Sequence, residues 1–140
     1  MDREPAGRVA LMAIHQDWAE AIMDGSKRVE FRKRRLADDI ETVLVYATAP
    51  VSKIVGHFMI DEIVSSTPAD IWARFGNVGA IGRDAFFTYF NGKSSAVAIL
   101  VASAQRFEDP LELNDIYPKP GIPQSFSYLP STTPALAAVV

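Results

Sequence analysis

The stretch GSKRVEFRKRR at residues 25–35 organises the first half of this sequence. Apolar residues recur at helical spacing over residues 16–24, and Gly25 is of the type that ends helices. Beyond it, Val29 and Phe31 alternate with charged residues, which is the pattern of a half-buried strand. The stretch therefore predicts a helix that ends at Gly25, followed directly by a strand with one charged face.

The same stretch is strongly basic in an acidic protein. Residues 27–35 hold six of the fourteen Lys and Arg residues, whereas the formal net charge of the chain is −3. The charged face of the predicted strand, at residues 28–34, gathers Arg28, Arg32 and Arg34 around the carboxylate of Glu30. Such a face suits a ligand that carries both phosphate and a hydrogen-bond donor, as a nucleotide does. The alternative is a solvated charged strand without a ligand.

Composition limits the classes of protein to which the chain can belong. A length of 140 residues with 49% apolar residues predicts a single domain with a substantial core. No apolar run approaches the roughly 20 residues that a membrane helix needs, and the polar N-terminus lacks a signal segment. Without cysteines, and with only two histidines, the sequence predicts no disulfide, metal or cofactor. We expect a cytoplasmic protein that does not contact membranes.

The order of the predicted elements gives the fold class. Strands at residues 28–34, 42–48 and 53–64 follow one another without crossover helices, which disfavours a parallel doubly wound sheet. We therefore predict an α+β protein built on a small mixed β-barrel with flanking short helices. The domain is expected to cover residues 8–129, with a disordered tail at residues 130–140. The further predicted strands lie at residues 8–14 and 96–107, and the further helices at residues 67–75 and 83–90.

Four motifs, in order along the chain, resemble the ASCH family of PUA-like domains. The first is Gly25-x-Lys27-x-x-Glu30-x-Arg32, placed after a helix and opening a strand. The other three lie at residues 46–56, 72–92 and 123–129. The last two resemble a bacterial and archaeal branch whose members are sometimes fused to helix-turn-helix regulators.

The resemblance implies a β-barrel with the first motif at the mouth of a cleft. It further implies RNA binding or recognition of a modified nucleotide. Some members resemble amidohydrolases that act on acetylated cytidine, and others have been described as ribonucleases. The amidohydrolase members carry a threonine at the position where this chain has Glu30.

Three residues of the first motif are the leading candidates for function. Lys27 is a candidate to hold a phosphate or a base carbonyl, or to act as a general base if burial lowers its pKa; otherwise it forms a salt bridge to Glu30. Glu30 could accept hydrogen bonds from the amino group of a base, or orient Arg28 or Arg32. Arg32 could grip phosphate through its planar guanidinium. Strand alternation places Lys27 on the Val29 face, but its position at a turn leaves its direction open.

The second group of candidates lies elsewhere. Arg28 and Arg34 are expected to supply diffuse, salt-sensitive attraction. Tyr46 is a candidate for stacking on a base, although its apolar surroundings also suit core packing. His15, between a strand and a helix, could cap the helix or face the ligand. Further candidate ligand contacts are Thr48, Ser125 and Phe126.

Three functions remain open at the level of sequence. The leading one is a non-catalytic domain that binds RNA or a nucleotide in a basic cleft. The alternative is a small metal-independent hydrolase acting on a modified nucleoside or on RNA, with Lys27 as base and Glu30 as proton carrier. The third is a protein-interaction domain that uses the proline-rich end. Neither a protein partner nor an oligomeric state follows from the sequence.

Overall fold

The computed structural model describes residues 8–130, which form one six-stranded sheet flanked by three α-helices. Residues 1–7 and 131–140 lie outside the described residues, and the predicted tail falls there except for Pro130. The strands are β1 (Arg8–Ile14), β2 (Val29–Arg32), β3 (Thr42–Ala47), β4 (Lys53–Ser66), β5 (Ala96–Leu111) and β6 (Phe126–Pro130). The helices are α1 (Gln16–Asp24), α2 (Pro68–Phe75) and α3 (Arg83–Tyr89), with 3₁₀ turns at Gly76–Val78 and Leu113–Asp115.

The sheet is mixed and its two edge strands come close together. The strand order is β2-β5-β4-β3-β1-β6, with β1 parallel to β3 and the other neighbours antiparallel. Arg32, at the end of edge strand β2, donates hydrogen bonds to Ser125, directly before edge strand β6. The edges of the sheet are thus within one side chain of each other, in an open, barrel-like form. The predicted α+β class with a small mixed sheet and short helices is confirmed.

Local sequence signals account for the helix ends. His15 caps α1 by accepting a hydrogen bond from the backbone N–H of Asp17, and Gly25 ends it in the left-handed conformation at φ 89°. Thr67 caps α2 by accepting from the backbone N–H of Asp70. None of the helices between residues 8 and 130 has the length and apolarity that crossing a membrane requires.

The core has three parts, of which two border the functional site. One lies within the curled sheet and includes Leu36 and Ile40, from the segment between β2 and β3. Another joins α2 and α3 to β2 and β5 around Phe86. The aromatic residues of these two helices belong to this part of the core, since Phe86 and Phe90 are buried and Trp72 and Phe87 pack against the same cluster.

The end of the chain is more regular than its prolines suggest. The predicted strand at residues 96–107 continues as β5 to Leu111, and the proline-rich segment after it leads into a further strand, β6. β6 pairs antiparallel with β1, from Arg8 opposite Pro130 to Met12 opposite Phe126. The partner strand lies more than a hundred residues away in sequence, so local propensity does not reveal it.

Candidate functional site

A cavity of about 500 Å³ opens beside the junction of β1 and α1, and we call it the basic cleft. Its floor is formed by Lys27, Glu30 and Arg32, and its far wall by Ser125 and Gln124. A volume of this size is typical of small-molecule sites. The residues that line it are Ala13, Ile14, His15, Trp18, Lys27, Glu30, Phe31, Arg32, Lys33, Arg34, Ile81, Phe86, Tyr89, Lys93, Gln124 and Ser125.

Lys27 points into the protein, toward Glu30. Its ammonium group donates a hydrogen bond to the backbone carbonyl of Gly79 and lies 3.7 Å from Oε1 of Glu30. The side chain is only 2% exposed. Strand alternation does not apply to Lys27, because its backbone N–H still bonds to Ala21 of α1 and the strand begins only at Val29. The direction that the sequence left open is thus set by the turn.

Burial has a chemical effect on Lys27. Removal from water lowers the pKa of its ammonium group below the usual value of 10.5, while the carboxylate of Glu30 opposes the shift. A lysine of this kind gives up its proton more readily than an exposed one. The residue can therefore either donate to a carbonyl group or exchange a proton with a ligand.

Arg32 uses its guanidinium to hold the floor and the far wall together. Nη1 donates to Oε2 of Glu30 at 2.8 Å and to the backbone carbonyl of Ala13 at 3.3 Å. Nη2 donates to the hydroxyl of Ser125 at 2.9 Å and to its carbonyl at 3.2 Å. Both terminal nitrogens are engaged by the protein itself. The arrangement fits a positioning role better than the predicted grip on phosphate.

Aromatic rings form much of the remaining wall. Phe31 and Phe86 meet edge to face with centroids 4.9 Å apart, and Trp18 lies 5.4 Å from the ammonium group of Lys27. Tyr89 stands nearer the mouth, where burial raises the pKa of its hydroxyl. Flat, largely apolar walls of this kind suit a planar ring.

The mouth of the cleft is electropositive. Lys33, Arg34 and Lys93 lie there and are exposed. Among residues 8–130, none of the three has a carboxylate partner within 4.0 Å. Together with Lys27 and Arg32 they give the cleft five cationic side chains against one carboxylate. The cleft therefore attracts anions although the whole chain is acidic.

Four predicted site residues do not line the basic cleft. Tyr46 packs in the part of the core on the opposite face of β3 and borders a separate groove of about 260 Å³. Thr48 follows β3 and bonds through its backbone N–H to Ile14, and Phe126 packs on the inner core beside Arg34. Arg28 is exposed at the turn. The candidates that do line it are Lys27, Glu30, Arg32, Arg34 and Ser125, together with His15, which also caps α1.

Other residues of the cleft were not singled out by the sequence. Gly79 supports the cleft from behind its lining, because a side chain there would overlap the ring of Phe31 and so displace the carbonyl that Lys27 contacts. Trp18, Tyr89 and Lys93 are others. Lys93, in the turn after α3, could have been noticed as an isolated cation after an aromatic helix, but nothing in its neighbours links it to Lys27. Within residues 8–130, no three His, Asp or Glu side chains gather to hold a metal ion.

Comparison with known proteins identifies relatives of the whole domain. A family model described as the ASCH domain matches residues 12–111. A protein of Zymomonas mobilis subsp. mobilis named "ASCH domain-containing ribonuclease" is 29% identical over 113 residues, which cover 80% of this chain and 76% of that protein. The crystal structure of ASCH from Zymomonas mobilis superposes with a TM-score of 0.82 at 28% identity, covering 89% of each chain.

Two longer proteins of Ureaplasma parvum serovar 3 are also similar. One is named ATP synthase subunit alpha, at 31% identity over 120 residues, and the other large ribosomal subunit protein uL22, at 29% over 106 residues. This chain spans 15% and 34% of their lengths, respectively. The similarity is therefore confined to one segment of each protein.

Proposed function

Since this chain belongs to the ASCH domain family, we propose that it binds RNA or a modified nucleotide in the basic cleft. The family match confirms the prediction of an ASCH domain of the RNA-binding type. We also propose that the residues lining the basic cleft hold this ligand, and that the protein is cytoplasmic.

The observation that carries the proposal is the charge of the cleft. Five cationic side chains and one carboxylate line a cavity with aromatic walls, in a chain of net charge −3. A phosphate seeks cations and a base seeks flat apolar surfaces, so a nucleotide satisfies both parts of the cleft. Net negative charge disfavours extensive nonspecific binding to duplexes and favours recognition of one or a few nucleotides.

The two tryptophans provide a direct test. Trp18 lines the cleft, whereas Trp72 packs between α2 and α3 and does not. We would titrate the protein with short single-stranded RNA and follow the two indole N–H signals by NMR. Binding in the cleft shifts the signal of Trp18 and leaves that of Trp72 in place. If RNA binds without moving the Trp18 signal, the cleft is not the site.

A second candidate function is cleavage of the bound RNA. The Zymomonas mobilis relative is named a ribonuclease, and in this chain burial lowers the pKa of Lys27 beside Glu30. A neutral Lys27 amine could take the proton of a ribose 2′-hydroxyl. The 2′-oxygen then bonds to phosphorus and the bond from phosphorus to the 5′-oxygen breaks. The products are a 2′,3′-cyclic phosphate and a 5′-hydroxyl end, whose proton comes from the lysine ammonium.

This reaction needs no metal and can be tested as such. We would incubate RNA and the matching DNA with the protein in EDTA and analyse the ends of the products. The reaction predicts cyclic phosphate ends from RNA, no cleavage of DNA, and loss of activity in Lys27→Met but not in Lys53→Met, which changes an exposed lysine of β4. Intact RNA after long incubation removes this candidate. Acetylated cytidine in parallel tests the amidohydrolase alternative, by release of acetate.

A further inference from the structure

We propose that Lys33, Arg34 and Lys93 form a phosphate-binding subsite at the mouth of the basic cleft, so that a nucleotide enters base first and keeps its phosphate outside. The inference rests on the proposed function and adds to it the orientation of the ligand and the residues that read its charge. The phosphate could belong to a free nucleotide or to a strand of RNA.

The deep cations are already occupied by the protein. Both terminal nitrogens of Arg32 donate hydrogen bonds to the protein, to Glu30, Ala13 and Ser125. Lys27 is 2% exposed and donates to Gly79. A phosphate pushed to this depth would have to break these contacts and approach the carboxylate of Glu30. Because burying an imperfectly paired charge is costly, the floor is a poor phosphate site.

The cations at the mouth are in the opposite situation. Lys33, Arg34 and Lys93 are exposed, and no carboxylate among residues 8–130 neutralises them. Two of them are placed by aromatic rings. The ammonium group of Lys33 lies 4.5 Å from the ring of Tyr89, and the guanidinium of Arg34 lies 4.9 Å from the ring of Phe126.

Lys93 adds a third cation to the subsite from a separate segment of the chain. Its backbone N–H bonds to the carbonyl of Phe90, which fixes the turn between α3 and β5. Cations from two separate segments thus border one opening. Such convergence around an opening suits a single anionic group better than a continuous backbone of phosphates.

The deep part of the cleft suits an uncharged ring. Oε2 of Glu30 is engaged by Arg32, whereas Oε1 is 3.7 Å from the ammonium group of Lys27, longer than a hydrogen bond. Oε1 is therefore the acceptor that remains for a donor on the ligand, and Phe31 and Phe86 provide ring surfaces beside it. A base can enter only if its hydrogen-bonding edge is unpaired, so the ligand is single-stranded or extruded from a helix.

The experiment compares ligands that differ only in phosphate. The ligands are the four ribonucleosides, their 5′-monophosphates and trinucleotides without terminal phosphates, and affinity is followed through the Trp18 signal. In the unmodified protein we expect the monophosphates to bind about tenfold more tightly than the nucleosides, as charge-assisted hydrogen bonds would provide. In Lys33→Gln/Lys93→Gln this advantage should vanish. The matched control is Lys53→Gln/Lys119→Gln, which removes the same charge outside the cleft and should keep the advantage.

The outcomes separate the inference from the function on which it rests. If no ligand moves the Trp18 signal, the proposed function fails. If nucleosides and monophosphates bind equally, or if both double variants lose the advantage equally, the cleft binds nucleotides and the phosphate subsite is overturned. The trinucleotides identify the source of the phosphate. Binding that depends on Lys33 and Lys93 assigns the subsite to a strand, whereas dependence seen only with monophosphates assigns it to a free nucleotide.

Discussion

Arg32 donates hydrogen bonds to both the hydroxyl and the carbonyl of Ser125, at 2.9 and 3.2 Å, and so joins the two edges of the sheet. The same guanidinium holds Glu30 at 2.8 Å. One side chain therefore fixes the distance between the floor and the far wall of the basic cleft. The shape of the cleft depends on the planar geometry of this group as much as on its charge.

Arg32→Lys should destabilise the protein although it keeps the charge. A lysine ammonium cannot reproduce four contacts made by a planar fork, so Glu30 and Ser125 each lose a partner. We expect a loss of about 2 kcal/mol in the free energy of unfolding, measured with urea. The control, Arg74→Lys, alters an exposed arginine 3.7 Å from Asp70 and should cost less than about 0.5 kcal/mol. Equal losses of stability in the two variants would contradict the idea that Arg32 holds the floor and the far wall of the cleft together.

Gly79→Ala should change the shape of the cleft, although Gly79 is not one of the residues of its floor. The added methyl group would overlap the ring of Phe31, and the loop must move away from Lys27 to relieve it. We expect the free energy of unfolding to decrease by about 2 kcal/mol and the NMR signal of the Lys27 side chain to change. Gly82→Ala lies in the same loop with nothing within 4 Å of the new atom, and should cost less than about 1 kcal/mol in the free energy of unfolding, because alanine only caps α3 less well than glycine. If Gly79→Ala changes neither the stability nor the Lys27 signal, the contact between Lys27 and the carbonyl of residue 79 does not require a glycine there.

Lys27 should make stability depend on pH in the alkaline range. Its folded pKa is lowered by burial, so over the interval between that pKa and 10.5 the unfolded chain binds more protons than the folded one. Stability from this group therefore increases as pH rises toward 10.5 and is lost as pH falls through the folded pKa.

Unfolding in urea at a series of alkaline pH values measures this effect. The difference in free energy of unfolding between the unmodified protein and Lys27→Met should move in favour of the unmodified protein as pH rises. A flat difference for Lys27→Met would show that its ammonium group titrates as it does in water.

Phe86→Ala should be the most damaging change in the aromatic wall. The ring is fully buried and contacts Phe31, Trp72, Phe87 and Phe90 with centroids 4.8–5.2 Å apart. We expect the free energy of unfolding to decrease by about 3–5 kcal/mol, because the buried ring is removed and a cavity remains in its place. The neighbouring Phe87→Ala removes the same ring from a half-buried position and should cost clearly less. Thermal unfolding of the two variants side by side decides the matter.

Local patterns predicted much of this fold. The helix over residues 16–24 and its end at Gly25 depend on neighbouring residues, and the structure contains both as predicted. Tyr46 could not be placed from its pattern, because every residue of β3 is buried and alternation does not separate the two faces of such a strand.

The cleft depends on contacts that are distant in sequence. Gly79 is 52 positions from Lys27, and Ser125 is 93 from Arg32. The cationic motif at residues 27–32 could therefore be recognised from the sequence. The sequence did not show that the hydrogen bonds of Arg32 go to the protein itself, or that other cations lie at the mouth of the cleft. The family resemblance supplied the fold and the class of ligand, not these partners.

The pairing of β6 with β1 has a consequence for how the protein is made. During synthesis Lys27, Glu30 and Arg32 leave the ribosomal exit tunnel long before Gln124 and Ser125 do. Until then Arg32 lacks its acceptors on Ser125, and the first strand has one unsatisfied edge. A nascent chain therefore carries the basic motif without the wall opposite it. Completion of the last strand is also the moment at which the binding site comes into existence.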